Sequence, residues 1–149
     1  MDTALEKRLQ ALEDRQAVEQ VITDYLIAID DRASVDAVMN LFTDDAVFDM
    51  SGIGYPNITG APAIREFFDG VFAGMRHHAH YATNFSLDTL QGDLAQCRTH
   101  VIGMGVTADG DEVLFYLQYH LEMRRESGIW KINTFRGKPL MPIAQETTT

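Results

Sequence analysis

The stretch that decides the fold runs from residue 113 to residue 123 and reads VLFYLQYHLEM. Its odd-numbered positions are all apolar, whereas its even-numbered positions mix Leu114 and Tyr116 with Gln118, His120 and Glu122. Successive side chains of a strand point to opposite faces of a sheet. The pattern therefore predicts a strand with one face in a core and the other face toward solvent.

Three further segments with a period of two surround this strand. Residues 78–90 and 94–107 precede it, and residues 129–136 follow it. Asp109-Gly110 is a hairpin turn sequence, and Glu126-Ser127-Gly128 forms a second turn. Consecutive strands joined by short turns predict an antiparallel sheet.

The N-terminal half has helical periodicity instead. Ser34 is a suitable cap for a second, short helix, and Pro62 opens a third helix. A strand is expected over residues 44–50 and a loop over residues 51–60. The apolar stripe of the first helix consists of Val18, Val21, Ile22, Tyr25, Leu26 and Ile29, and Leu5, Leu9 and Leu12 extend it backward.

Helices followed by antiparallel strands indicate an α+β fold, with the helices packed on one face of the sheet. We expect a strongly curved sheet wrapped around the N-terminal helices to form a cone with an apolar cavity, which is a common kind of small-molecule site. The chain of 149 residues suits a single domain over residues 1–149, with residues 145–149 as a frayed polar tail.

The charge balance excludes several classes of partner. The chain has 12 Lys and Arg against 22 Asp and Glu, a net charge of −10, so phosphate backbones and anionic membranes are not expected partners. The single cysteine, Cys97, cannot form an internal disulfide. No apolar run approaches the roughly 20 residues of a membrane span, and the charged N-terminus has no signal core. We therefore expect a cytoplasmic protein.

Several motifs resemble the SnoaL-like branch of the nuclear transport factor 2-like superfamily, over nearly the whole chain. They are YLIAID at residues 25–30, VMNLFTDDAVF at residues 38–48, HYATN at residues 80–84 and GIWKI at residues 128–132. Within that branch the pattern is most similar to the group of hexachlorocyclohexane dehydrochlorinase, scytalone dehydratase and bile-acid 7α-dehydratase. The resemblance implies a cystatin-like fold, a lyase without cofactor or metal, and a homo-oligomer.

The resemblance also implies a site. The histidine and aspartate shared by these enzymes match His80 and Asp30, and the tyrosine of the bile-acid enzyme matches Tyr25. Scytalone dehydratase has different residues at Met50, Leu117 and Tyr119, and a second histidine with no clear match here. The dehydrochlorinase has a lysine at Tyr25, and its second cationic residue falls nearest Arg136, one position out of register. The general site is therefore transferable, and the substrate is not.

A histidine can accept a proton near neutral pH. An aspartate on its other ring nitrogen would fix the tautomer, orient the ring and stabilise the imidazolium. We therefore expect His80 to abstract a proton from carbon, Asp30 to orient it and Tyr25 to donate a hydrogen bond to a leaving oxygen or oxyanion. The substrate is expected to be a small apolar or cyclic molecule, and the candidate contact residues are Phe48, Met50, Phe68, Phe72, Phe115, Tyr119, Phe135 and Arg136.

Other interpretations of the same residues are open. Asp30 can be a solvated helix end, His80 a hydrogen-bonded strand histidine, and Tyr25 a core residue. His78 shares a strand face with His80, but two histidines alone are too few for a metal site. At the level of function, an isomerase or cyclase would begin with the same proton abstraction. A small-molecule-binding module or a dioxygenase β-subunit-like scaffold would not need the polar pair, and Leu114, Tyr116 and His120 are candidates for contacts between copies.

Overall fold

A computed structural model describes residues 3–142, so the predicted tail at residues 145–149 lies outside the described residues. Two helices precede the first strand, a short 3₁₀ turn, Ser51–Ile53, follows that strand, and a third helix lies between the second and third strands. The elements in chain order are α1 (Thr3–Asp31), α2 (Val35–Met39), β1 (Phe42–Asp49), β2 (Asn57–Thr59), α3 (Ala61–Gly74), β3 (Met75–Gln91), β4 (Leu94–Thr107), β5 (Glu112–Glu126) and β6 (Ile129–Pro139).

The strands form one curved, unclosed sheet in the order β2-β1-β6-β5-β4-β3. The α+β class is confirmed. The expectation of an antiparallel sheet is wrong for one pair, because β1 and β6 run parallel. These two strands lie far apart in the chain, so no hairpin turn fixes their relative direction. The predicted loop over residues 51–60 also contains β2, which pairs with β1.

The alternation of β5 is confirmed. Leu117, Tyr119, Leu121 and Met123 are buried, whereas Leu114 and Tyr116 of the expected contact face are exposed. An oligomer through this outer face stays a prediction. Interruptions of the register in β3, including one between Thr83 and Ser86, accompany the bend of that edge strand.

Helix α1 crosses the concave face of the sheet. All residues of its predicted stripe are buried, while Leu5, Leu9 and Leu12 are more than half exposed. Asp14 ties the middle of this helix to the sheet through an ion pair with Arg125, 2.7 Å between Oδ1 and Nη1. The Arg125 guanidinium in turn lies over the Trp130 ring, 4.9 Å from its centroid. No helix in the described part of the chain is long and apolar enough to cross a membrane.

Phe135 of β6 is the centre of the core. It is fully buried, and its ring lies 5.0 Å from the centroid of Tyr25 on α1, 5.0 Å from Phe48 on β1 and 4.6 Å from Tyr119 on β5. Tilted aromatic pairs at these distances add to the free energy of burial. Phe135 therefore joins the helix to three strands.

We expect Phe135→Ala to lower the free energy of unfolding by about 3–5 kcal/mol, because it removes a large side chain from a site that cannot collapse. Phe67→Ala, at a partly buried aromatic, should cost clearly less. Urea denaturation followed by circular dichroism measures both losses. Equal losses in the two variants would contradict the central place of Phe135.

Candidate active site

A cavity of about 560 Å³ lies between the helices and the concave face of the sheet. Its walls are mainly apolar and aromatic. Within the described part of the chain, no lysine or arginine lines it, and Glu66 is its one carboxylate. The aromatic residues of the wall are Tyr25, Phe48, Tyr55, Phe67, Phe68, Phe115 and Tyr119.

His80 and Asp30 meet at the wall of this cavity. His80 Nδ1 lies 2.6 Å from Asp30 Oδ1, and the backbone N–H of His80 donates to Asp30 Oδ2 at 2.9 Å. The two side chains are 14% and 29% exposed, respectively. A carboxylate only accepts hydrogen bonds, so Nδ1 carries the proton and a neutral ring presents the lone pair of Nε2.

The end of α1 brings Asp30 to this position. Arg32 has a φ of +49°, in the left-handed region that commonly ends a helix. Its N–H still donates to the Ala28 carbonyl at 3.2 Å, and its guanidinium donates to the backbone carbonyls of Met75 and Arg76 on β3. The helix therefore stops directly against the first residues of β3, where His80 lies.

The absence of a side chain at Gly103 of β4 leaves room for the His80 ring. The two residues are register partners, and a Cβ at Gly103 would lie 3.2 Å from both Cδ2 and Nε2 of the imidazole. A glycine inside a strand often marks such a close approach. Because Gly103 has no side chain, the Nε2 edge of the ring lies directly over β4 and stays uncovered by a neighbouring side chain at that position.

Tyr25 and Tyr119 also line the cavity. No hydrogen bond joins either hydroxyl to another described residue. Burial raises the pKa of both hydroxyls; the neighbouring Tyr119 and Asp30 raise the pKa of Tyr25 further, and Asp30 does the same for Tyr119. Both groups are therefore neutral O–H donors at neutral pH.

His78 is a second imidazole of the cavity wall, which sequence reasoning weighed only as a metal ligand. Its Nδ1 lies 3.0 Å from the carbonyl oxygen of Ile29, and its ring centroid lies 5.7 Å from that of His80. Its register partner is Gly105, where a Cβ would meet the His78 ring at 3.3 Å. Two histidines opposite two glycines, at the same spacing of two, were a signal in the sequence.

The predicted substrate-contact residues divide into those that line the cavity and those that do not. The cavity lining includes Phe48, Met50, Phe68, Phe115 and Tyr119.

Phe72, Phe135 and Arg136 are not among the lining residues. Phe135 takes the inward position of β6, so its neighbour Arg136 points to the outer face, where its Nε lies 3.3 Å from Asp49 Oδ2. Phe72 packs against the core.

Within residues 3–142 no cluster of three or more His, Cys, Asp or Glu side chains is arranged to hold a metal ion. Cys97 is buried, and burial raises the pKa of its thiol to about 12. Such a thiol stays protonated at neutral pH and is a poor nucleophile. The cavity wall therefore carries two imidazoles, His78 and His80, and the carboxylate of Asp30 is bound to the second of them.

Comparisons with known proteins agree with the resemblance seen in the sequence. Hexachlorocyclohexane dehydrochlorinase 1 of Sphingobium indicum is 28% identical over 131 residues, which cover 87% of this chain and 83% of the relative. A crystal structure from Novosphingobium aromaticivorans, provisionally described as an aromatic ring hydroxylase, is 46% identical, with a TM-score of 0.86 over 89% of this chain and 93% of the other.

A second Novosphingobium aromaticivorans structure, a nuclear transport factor 2-like protein with a cystatin-like fold, has a TM-score of 0.78 at 23% identity and covers 97% of this chain and 93% of its own. This likeness shows the fold. A family model described as the SnoaL-like domain matches residues 10–136. The chain therefore belongs to the SnoaL-like family.

Proposed function

We propose that the protein is a cofactor-independent lyase in which His80 takes a proton from a carbon atom of a small, neutral, cyclic substrate. One observation carries this proposal: the carboxylate of Asp30 holds Nδ1 of His80 at 2.6 Å, so that the opposite nitrogen is available to an apolar cavity. The kinship to a dehydrochlorinase supports elimination as the reaction class.

In the elimination, the substrate C–H bond breaks and a bond forms between Nε2 of His80 and the proton. The C–H electron pair becomes a carbon–carbon double bond, and the leaving group departs with the electrons of its own bond to carbon. Asp30 stabilises the imidazolium, and Tyr25 donates to a leaving oxygen or to an oxyanion, with Tyr119 beside it. General base catalysis of this kind contributes about 10²–10⁴-fold in rate.

The lining of the cavity favours a neutral substrate. A carboxylate or phosphate would enter an apolar space that has no lining cation among the described residues and has Glu66 in its wall. Burying an unpaired charge there is costly. Hexachlorocyclohexane, the compound in the name of the Sphingobium indicum relative, is neutral and is the first compound to test. Neutral cyclic β-hydroxy ketones are the corresponding substrates for loss of water.

An isomerase would begin with the same proton abstraction and keep all atoms of its substrate. Mass spectrometry of the product separates the cases: loss of hydrogen chloride or water indicates a lyase, and an unchanged mass indicates an isomerase. A binding module or a dioxygenase β-subunit-like scaffold would have no use for a free base in the cavity. Direct measurement of the base in the cavity therefore separates an enzyme from these two classes.

A base in an apolar cavity should accelerate the ring opening of nitrobenzisoxazole, a neutral bicyclic probe that yields a coloured nitrophenolate when its C–H proton is removed. We expect His80→Ala to lower kcat/KM by about 10²–10⁴-fold. His77→Ala, at an exposed histidine of the same strand, should leave it unchanged. A wild-type protein no faster than free imidazole, or full activity of His80→Ala, would contradict the proposal.

Asp30→Asn tests the orienting carboxylate. The Asn amide would donate to Nδ1, so the proton of the ring would move to Nε2 and the base would lose its lone pair. We expect kcat/KM for the same probe to fall by about 10²–10⁴-fold, with a folded protein and a changed ¹⁵N NMR tautomer pattern for His80. Asp31→Asn, at the exposed neighbouring position, is the control. An unchanged tautomer and rate in Asp30→Asn would refute this role.

Gly103→Ala tests the placement of the ring. The added Cβ, 3.2 Å from Nε2, would displace the imidazole by a few tenths of an ångström and cover its basic edge. We expect a loss of about 10- to 100-fold in kcat/KM, because small displacements of reacting groups are costly. Ile102→Ala changes the opposite face of the same strand and should retain activity. Equal rates for wild type and Gly103→Ala would show that the close approach has no functional weight.

A further inference from the structure

The second imidazole of the cavity wall, His78, has a fixed tautomer. The carbonyl oxygen of Ile29 can only accept a hydrogen bond, so Nδ1 of His78, 3.0 Å away, donates its proton to it. In the neutral ring Nε2 then holds a lone pair. No hydrogen bond joins Nε2 of His78 to another residue in the described part of the chain. His78 is one of the lining residues of the cavity, and its Nε2 is an acceptor that no other described residue uses.

The environment keeps this ring neutral. Burial lowers the pKa of His78 most, and the neighbouring His80 and Arg32 lower it further, while the Ile29 carbonyl and Asp30 act in the opposite direction. At neutral pH His78 therefore accepts hydrogen bonds through Nε2 and does not donate through it.

The two imidazoles differ in their partners. His80 donates to a carboxylate, which stabilises a positive ring, whereas His78 donates to a neutral carbonyl. A proton taken from carbon is therefore better held by His80. His78 is left with the role of an acceptor, 5.7 Å from the base measured between ring centroids. A ligand without an O–H or N–H group would cover this acceptor and leave it unpaired, which is costly.

We propose that His78 is a specificity-determining residue whose Nε2 accepts a hydrogen bond from a hydroxyl group of the substrate. The substrate is then a neutral alcohol or phenol with a ring, and the ether of the same ring, which lacks the hydroxyl proton, binds less well. This inference rests on the proposed function only in taking this cavity as the substrate site.

Binding of β-naphthol and of its methyl ether, measured by isothermal titration calorimetry, tests the proposal. The two probes share their ring and differ in the hydroxyl proton. We expect the wild type and His80→Ala to prefer β-naphthol by about ten-fold in Kd. His78→Leu should lose this preference, and His78→Gln, which keeps a donor for Ile29 and an acceptor, should retain part of it. A merely structural role of His78 would weaken both probes equally and leave the ratio unchanged.

The same titration followed by ¹⁵N NMR of the wild type does not depend on how the variants fold. β-Naphthol should shift the Nε2 resonance of His78, and the ether should not. The proposal is overturned if the wild type shows no preference, if His78→Leu keeps it, or if His80→Ala loses it. The last outcome would assign the acceptor to His80 and leave the lyase proposal standing, whereas loss of the lyase proposal would appear only in the elimination rate.

Discussion

The contact between the last turn of α1 and the free edge of β3 is the constraint on which the rest of the structure depends. β3 pairs only with β4, so the backbone groups of its other edge need partners. The Asp30 carboxylate accepts a hydrogen bond from the N–H of His80, and the Arg32 guanidinium donates to the carbonyls of Met75 and Arg76. The carbonyl of Ile29, at the C-terminal end of α1, accepts a hydrogen bond from Nδ1 of the His78 ring. The contact that covers a sheet edge thus also builds the candidate site.

This shared use of one contact gives two nearly equivalent histidines different hydrogen-bond partners. His78 and His80 lie two positions apart on one strand face, and each faces a glycine of β4. What separates them is the partner that α1 offers: a backbone carbonyl for one ring and a side-chain carboxylate for the other. A shift of α1 by one residue would exchange or remove these partners. The length of the helix, ended by the left-handed Arg32, therefore decides which ring meets the carboxylate.

Much of this architecture could be predicted from the sequence, because it depends on periodicity. The alternation of apolar and polar residues along β5 and the apolar stripe of α1 directly predict which faces of these elements are buried. The parallel pairing of β1 with β6 and the bulges of β3 could not be predicted, since they depend on contacts between distant segments. His80 and Asp30 came from family resemblance alone, as no spacing rule connects positions so far apart. Arg136, named both as a surface charge and as a candidate for the cavity, is not among the lining residues, because the inward residue of β6 is Phe135, one position away.

The absence of lining cations from the described cavity has a consequence for charge. In the proposed reaction the pair would consist of a neutral ring and a carboxylate before proton transfer, and of an imidazolium and a carboxylate, which together are neutral, afterwards. The negative charge that leaves the pair would pass to the substrate, so the total charge of the cavity would not change. Tyr25 and Tyr119 would meet that charge as neutral donors, because burial keeps their hydroxyls protonated. A site of this kind would stabilise an anion that it forms itself through the tyrosine hydroxyls, whereas no lysine or arginine among the described lining residues could pair with a substrate that arrives already charged.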